Sequence, residues 1–231
     1  MTEGKDRRRL LHGRRQGRPL RASQKQLLDQ EFDRLTIALP ASPGTLDPTA
    51  LFTPKRQEIW LEIGFGGGEH LAWQIQNNPT VGLLGAEIFL NGIAKALAAL
   101  APTERERLRL HCADARDLLE ALAPASLTRV FILFPDPWPK SRHQKRRIIQ
   151  PDNVAELARV LKPGGELRLA TDVADYAAWM LACLDREPAF RWTATSADDW
   201  RRRPGDWPAT RYEDKGREAG RPPTFLRWLR L

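Results

Sequence analysis

Glu58-Ile59-Trp60-Leu61-Glu62-Ile63 runs directly into Gly64-Phe65-Gly66-Gly67-Gly68 and then Glu69. The first six residues predict a strand, the glycines a turn, and residues 69–77 a helix. A glycine turn between a strand and a helix is where an open α/β sheet binds a nucleotide, against the helix N-terminus. The same alternation then repeats. Further strands are predicted at 81–88, 107–112, 127–134 and 166–171, and helices at 90–101, 115–122, 152–161 and 173–186. Pro163-Gly164-Gly165 is a stop signal for the helix at 152–161, and Thr171 or Asp172 is expected to cap the next one. Segments 190–195 and 224–231 read as closing strands. The pattern predicts a doubly wound, Rossmann-like α/β fold: a seven-stranded, mostly parallel sheet with helices on both faces.

Acids stand at three successive strand ends. A G-x-G-x-x-G dinucleotide fingerprint counted from Gly64 requires glycine at position 69, where Glu69 stands. Glu62, two residues before Gly64, would repel a pyrophosphate. It would attract the ammonium and sulfonium of S-adenosylmethionine, so that cofactor is expected rather than NAD. Glu87 closes the second strand, where an acid can accept both ribose hydroxyls. Asp114 closes the third, where a carboxylate can accept from the adenine amino group. Any one of these acids is equally well read as a solvated strand end or a cap; the three with the glycine turn form a pattern.

The fourth strand carries the most specific sequence. Val130-Phe131-Ile132-Leu133-Phe134 is an apolar run, the mark of a strand buried on both faces. Pro135-Asp136-Pro137-Trp138-Pro139 cannot continue it, because prolines remove donors and fix φ, so a stiff loop is expected at its carboxyl end. Residues 140–147 then hold five Lys/Arg and no acid. The net charge of +8 is segregated: residues 1–25 carry +7, 140–147 carry +5 and 201–231 carry +5, leaving the rest at −9. An acidic body with three basic segments points to a polyanion, and nucleic acid is the default.

Three regions are expected. Residues 1–25, with Arg7-Arg8-Arg9, Arg14-Arg15, Arg18 and Arg21, are too poor in apolar residues for a core and read as a basic tail, disordered when free. Residues 26–56 read as a helix (26–39, with Leu27, Leu28, Phe32, Leu35 and Leu39 at helical spacing) followed by a Pro-rich linker. Residues 57–231 read as the catalytic domain.

Phe134-Pro135-Asp136-Pro137-Trp138-Pro139-Lys140, with Arg142-His143-Gln144-Lys145-Arg146-Arg147, resembles the signature of the tRNA (guanine-N7)-methyltransferases. The similarity extends over residues 57–231. It includes Leu61-Glu62-Ile63-Gly64-Phe65-Gly66, Gly85-Ala86-Glu87-Ile88, Ala170-Thr171-Asp172 and Thr210-Arg211-Tyr212-Glu213, in the family's order. The resemblance implies methyl transfer from S-adenosyl-L-methionine to N7 of a tRNA guanosine, position 46 in the variable loop. It places Glu62, Gly64, Gly66, Glu87, Asp114 and Asp136 at the cofactor, with Asp136 catalytic. It places Lys140, Asp172, Thr210, Arg211, Tyr212 and Glu213 at the substrate, and Arg142, His143, Gln144, Lys145, Arg146 and Arg147 on RNA.

The chemistry sets its own condition. Guanine N7 presents a lone pair, so no general base is needed, and Asp136 is expected to orient the base or offset the charge left on the ring. Trp138 has two readings, stacking on a base or pinning the loop as a core indole. The partner expected is tRNA, with no membrane and no obligate protein partner. No apolar run approaches a membrane span and no secretory signal is visible, so a cytoplasmic setting is expected. Cys112 and Cys183 read as free buried thiols, and the scattered histidines imply no metal. Three rivals stand beside this reading, one of them an NAD oxidoreductase, for which no hydride-handling Tyr-Lys or His-Asp pair presents itself. Exocyclic amino methylation would call for Asp/Asn-Pro-Pro-aromatic, and Asp136 is followed by one proline and then Trp138. A catalytically silent RNA-binding subunit would have no use for the acids and the glycine turn.

Overall fold

Residues 59–63 are buried at every position and lie inside a seven-stranded sheet. The structure is a computed structural model that describes Gly13 and residues 15–231. In chain order the elements are α1 (Ala22–Leu35), a 3-10 turn (Pro48–Leu51), β1 (Ile59–Ile63), α2 (Glu69–Asn77), β2 (Gly82–Ala86), α3 (Leu90–Ala98), α4 (Pro102–Arg105), β3 (Leu108–His111), α5 (Ala115–Ala121), β4 (Leu127–Leu133), a second 3-10 turn (Ser141–Arg146), α6 (Pro151–Val160), β5 (Leu161–Thr171), α7 (Ala174–Asp185), β6 (Phe190–Trp192), α8 (Asp198–Arg201), α9 (Arg211–Glu218) and β7 (Thr224–Arg230).

The strand order is β3-β2-β1-β4-β5-β7-β6. β1 pairs in parallel with β2 and β4, and β4 with β5; β7 is antiparallel to both β5 and β6. This is the expected Rossmann-like methyltransferase fold. Alternation along the strands sorts side chains into two cores. Leu61, Val130 and Ile132 face one side, under α5, α6 and α7. Trp60, Phe131 and Leu83 face the other, under α1, α2 and α3. The chain leaves β1 in one direction and β4 in the other, which opens a crevice at their carboxyl ends.

The N-terminal quarter departs from expectation. α1 begins four residues earlier than the periodicity suggests and ends at Leu35, not 39. Thr36 then bridges to Leu110, and the Ile37 N–H donates to the Leu110 carbonyl at 2.8 Å, so the chain covers the exposed edge of β3. The Pro-rich stretch is no free linker. Ile37, Phe52 and Pro48 are buried, and Leu46 exchanges hydrogen bonds with Ala121 and Ala123. Residues 15–18 are also tied down: the Leu90 N–H donates to the Arg15 carbonyl (3.0 Å), and Asn91 accepts from the Gly17 N–H and donates to the Arg18 carbonyl (both 2.7 Å). Arg7-Arg8-Arg9 and Arg14 lie outside the described residues.

Two smaller departures follow from pairing. Pro163-Gly164-Gly165 does stop α6 but sits within the span of β5, because Leu161 already pairs with Leu127 ahead of a register shift. The residue capping α7 is Val173, not Thr171 or Asp172; the Thr171 hydroxyl instead accepts from the Val173 N–H at 3.2 Å.

If residues 22–56 belong to the domain, deleting buried volume there must cost stability. Leu35 is fully buried against the β3 side of the sheet. Leu35→Ala is expected to lower unfolding free energy by ~2–5 kcal/mol in denaturant titration. A change near zero would return this segment to the status of a linker.

Candidate active site

A cleft of about 800 Å³ opens at the carboxyl ends of β1, β2, β3 and β4. Gly64, Gly66, Glu87, Asp114, Asp136 and Tyr212 all line it. Thus five of the six residues expected at the cofactor share one wall system, supplied by four separate strand ends.

The glycine turn is built on backbone conformations that side chains resist: φ is +72° at Gly64, +54° at Gly66 and +77° at Gly68. The Gly64 N–H donates to the Ala86 carbonyl (2.8 Å), and the space where a Cβ on Gly64 would project is open. The Gly66 N–H donates to Glu87 Oε2 (2.7 Å), while Ile88 and Phe89 N–H groups donate to Oε1 (2.8 and 2.9 Å). Burial pushes the Glu87 carboxyl up; the three N–H groups work against this, and the Asp136 charge adds to it. Glu87 and Asp136 both line the cleft. Asp114 caps α5 through the Arg116 N–H (3.0 Å) and is gripped by the Arg116 guanidinium, whose Nε lies 2.9 and 3.0 Å from its two oxygens.

Glu62 is the expected cofactor residue that the fold does not bring to the wall. It is 2% exposed, and its Oε2 is 2.8 Å from His70 Nδ1. His70 Nε2 lies 3.0 Å from Gln74, which donates to the Asp206 carbonyl. Glu62 thus shares its sheet face with Trp60 and Phe131, behind the glycine turn.

The proline loop is rigid for reasons beyond its prolines. Phe134 and Trp138 hold positive φ (+51° and +43°), a strained region for residues with side chains. The Phe134 N–H donates to the Ala170 carbonyl (2.7 Å), and the Phe134 ring lies 6.5 Å from and nearly parallel to Tyr212. Trp138 sits between the Arg146 guanidinium, 5.0 Å from its ring, and the His143 ring at 6.0 Å. The indole is half-buried and lines the cleft wall. Asp136 remains exposed at the cleft, and no described side chain donates a hydrogen bond to it.

The residues expected on substrate and RNA divide. Lys140, Arg142 and Lys145 are exposed, and His143, Gln144 and Arg146 half-buried. Arg147 is the exception: its side chain is fully buried, which corrects its assignment to an RNA-facing patch. In the 210–213 stretch only Tyr212 lines the cleft. Thr210 caps α9 through the Glu213 N–H, and Glu213 is buried between Arg203 (3.1 Å) and Arg217 (3.0 Å). Arg211 lies over the Tyr212 ring, and Asp172 is paired with Arg221 (2.8 Å). These are supports for α9 rather than cleft walls. Residues missed in sequence include Asn91, His70 and Arg116, none in a motif. Both cysteines are free; burial, with Glu87 nearby, pushes Cys112 up to about 12, and burial raises Cys183 as well.

A family profile described as "Putative methyltransferase" matches residues 56–226. Among solved structures, the aminoglycoside resistance methyltransferase NpmB1 is similar in fold alone, with TM-score 0.51 and 15% identity over 76% of this chain and 88% of that one. Fold and cleft together define a Rossmann-like methyltransferase. The tRNA (guanine-N(7)-)-methyltransferase of Rhodospirillum rubrum is 49% identical over 218 residues, 94% of this chain and 86% of that one, and its counterpart from Azorhizobium caulinodans is 49% identical over 221 residues, 96% and 95%. The chain belongs to the tRNA (guanine-N(7)-)-methyltransferase family. Family membership carries dependence on S-adenosylmethionine. Among the described residues no helix is long and apolar enough to cross a membrane.

Proposed function

We infer that the protein methylates N7 of the variable-loop guanosine of tRNA, position 46, using S-adenosylmethionine. The observation that carries this reading is the placement of Asp136: exposed on a stiff loop, lining the same cleft as Glu87, with Lys145 and Arg146 on its walls. The residues present fit the cofactor. Glu87 offers a carboxylate for ribose hydroxyls, Asp114 for the adenine amino group, and Gly64 leaves open space beside them. Glu62 acts from behind the turn, as part of its support.

When bound, S-adenosylmethionine supplies an electrophilic methyl group on a sulfonium. What the chain itself must do is hold guanine N7 in line with it, and alignment of this kind is worth ~7–11 kcal/mol. Asp136 accepts from the guanine N1 or N2 hydrogens, or offsets the charge left on the ring, and contributes about 2–4 kcal/mol of electrostatic stabilisation. N7 has no proton to lose, so Asp136 needs no basicity. Lys140, Arg142 and Lys145 grip phosphate, which positions the RNA without reading its sequence.

The test is incubation with labelled S-adenosylmethionine and an unmodified tRNA transcript, then borohydride and aniline. Chain cleavage at guanosine 46 is expected. Label without cleavage would transfer the assignment to an amino group, and no label would leave an RNA-binding module. The phosphate grip has its own readout. Arg142→Ala with Lys145→Ala is expected to raise KM for tRNA and to reduce the log–log salt slope of binding by about one to two. An unchanged slope would mean that the two residues face away from RNA.

A further inference from the structure

We propose that Arg147 is a positioning residue for the loop that carries Asp136, a role that rests on the reading of Asp136 given above. Arg147 stands at the end of a basic run, yet its side chain has no exposure. Its Nε donates to the Pro137 carbonyl at 2.9 Å. Its Nη2 pairs with Asp175, in the first turn of α7. Its guanidinium lies 4.8 Å from the Tyr176 ring centre and 5.3 Å from that of Trp179. Trp179 in turn donates to the Ile149 carbonyl (2.7 Å), so residues 147–149 are bolted to α7.

The loop needs such a bracket. Between Pro135 and Pro139 only Asp136 and Trp138 have backbone N–H groups. A segment so poor in donors cannot secure itself by a ladder, and its carbonyls are its remaining backbone handles. Pro137 is the residue next to Asp136, so fixing its carbonyl fixes where the Asp136 side chain leaves the chain. Arginine suits this position because a planar group with several donors reaches a carbonyl, an acid and two rings at once. The arrangement also costs stability, since Arg147 Nη1 is buried without a hydrogen-bond partner among the described residues. A residue kept only for stability would be better replaced by an apolar one of similar length.

That contrast supplies the test. Arg147→Met keeps the stem over Tyr176 and Trp179 but donates nothing. Its melting temperature is expected to stay at or above that of the wild type, while kcat falls about tenfold. KM for S-adenosylmethionine, tRNA affinity and the salt slope should each stay within twofold. Arg147→Lys, which restores one donor, should recover part of kcat. Asp175→Asn, at a side chain 66% exposed, guards against a folding failure and should show the same split at smaller size. In an Asp136→Ala background, Arg147→Met should subtract nothing further. Wild-type kcat in Arg147→Met beside a crippled Asp136→Ala would overturn the positioning role and leave Asp136 in place. Wild-type kcat in Asp136→Ala would overturn the reading of Asp136, and the bracket with it. A flattened salt slope with intact kcat would return Arg147 to the RNA surface.

Discussion

Asp136→Ala is expected to lower kcat at least tenfold, a loss of at least ~1.4 kcal/mol of transition-state stabilisation, while tRNA binding stays nearly intact. The side chain is exposed and receives no hydrogen bond from described residues, so its removal should shift stability by no more than about 0.5 kcal/mol. Affinity for tRNA should hold because phosphate contacts dominate it, and Asp136 touches none. The effect must therefore appear in the chemical step, measured by single-turnover methyl transfer. Asp136→Asn separates the two roles open to the carboxylate. An amide still accepts from guanine N1 or N2 but carries no charge, so partial retention of kcat assigns base positioning, and a loss equal to that of alanine assigns charge compensation. The substitution should lower the Glu87 carboxyl only slightly, since burial, the main cause of its rise, remains. Wild-type turnover in Asp136→Ala would remove the residue from the reaction.

The sheet was legible because strand-length segments alternate with helical ones and carry turn residues at their ends, and because strand ends collect the cleft. Glu87, Asp114, Asp136 and Gly64 needed only that rule to be brought together. Region 36–56 was illegible for a complementary reason: its prolines suggest a linker, but Ile37, Leu46 and Phe52 are buried or docked against the sheet edge and the end of α5. Charged residues misled most. Arg147, Glu62 and Glu213 look like surface chemistry, yet each is buried against a partner outside its own element: Asp175, His70 and Arg203. Charge pairing across 28 or 10 residues leaves no periodic trace, so burial of a charge is invisible until the elements are assembled.

Gly92→Ala tests whether the glycine turn and α3 form one rigid unit. A Cβ on Gly92 would lie 1.9 Å from the Gly66 carbonyl oxygen and 2.9 Å from its carbon, both backbone atoms with no rotamer to yield. Gly66 is the residue whose N–H holds Glu87, so any retreat of the turn loosens the ribose-facing acid as well. Overpacking of this kind typically costs about 1–3 kcal/mol, which for a chain of this size is a fall in Tm of roughly 3–10 °C. Affinity for S-adenosylmethionine, read by calorimetry, should fall at least tenfold. Two controls fix the interpretation. Gly205→Ala, with open space around its Cβ, should leave both quantities unchanged. Gly64→Ala meets no atom within 4 Å but sits at φ +72°, so it should cost about 1–2 kcal/mol of backbone strain. Its cofactor loss should be disproportionately larger, because the new methyl fills the space facing the ligand. Normal melting and affinity in Gly92→Ala would show that the turn yields freely, and Glu87 would then be held by Ile88 and Phe89 alone.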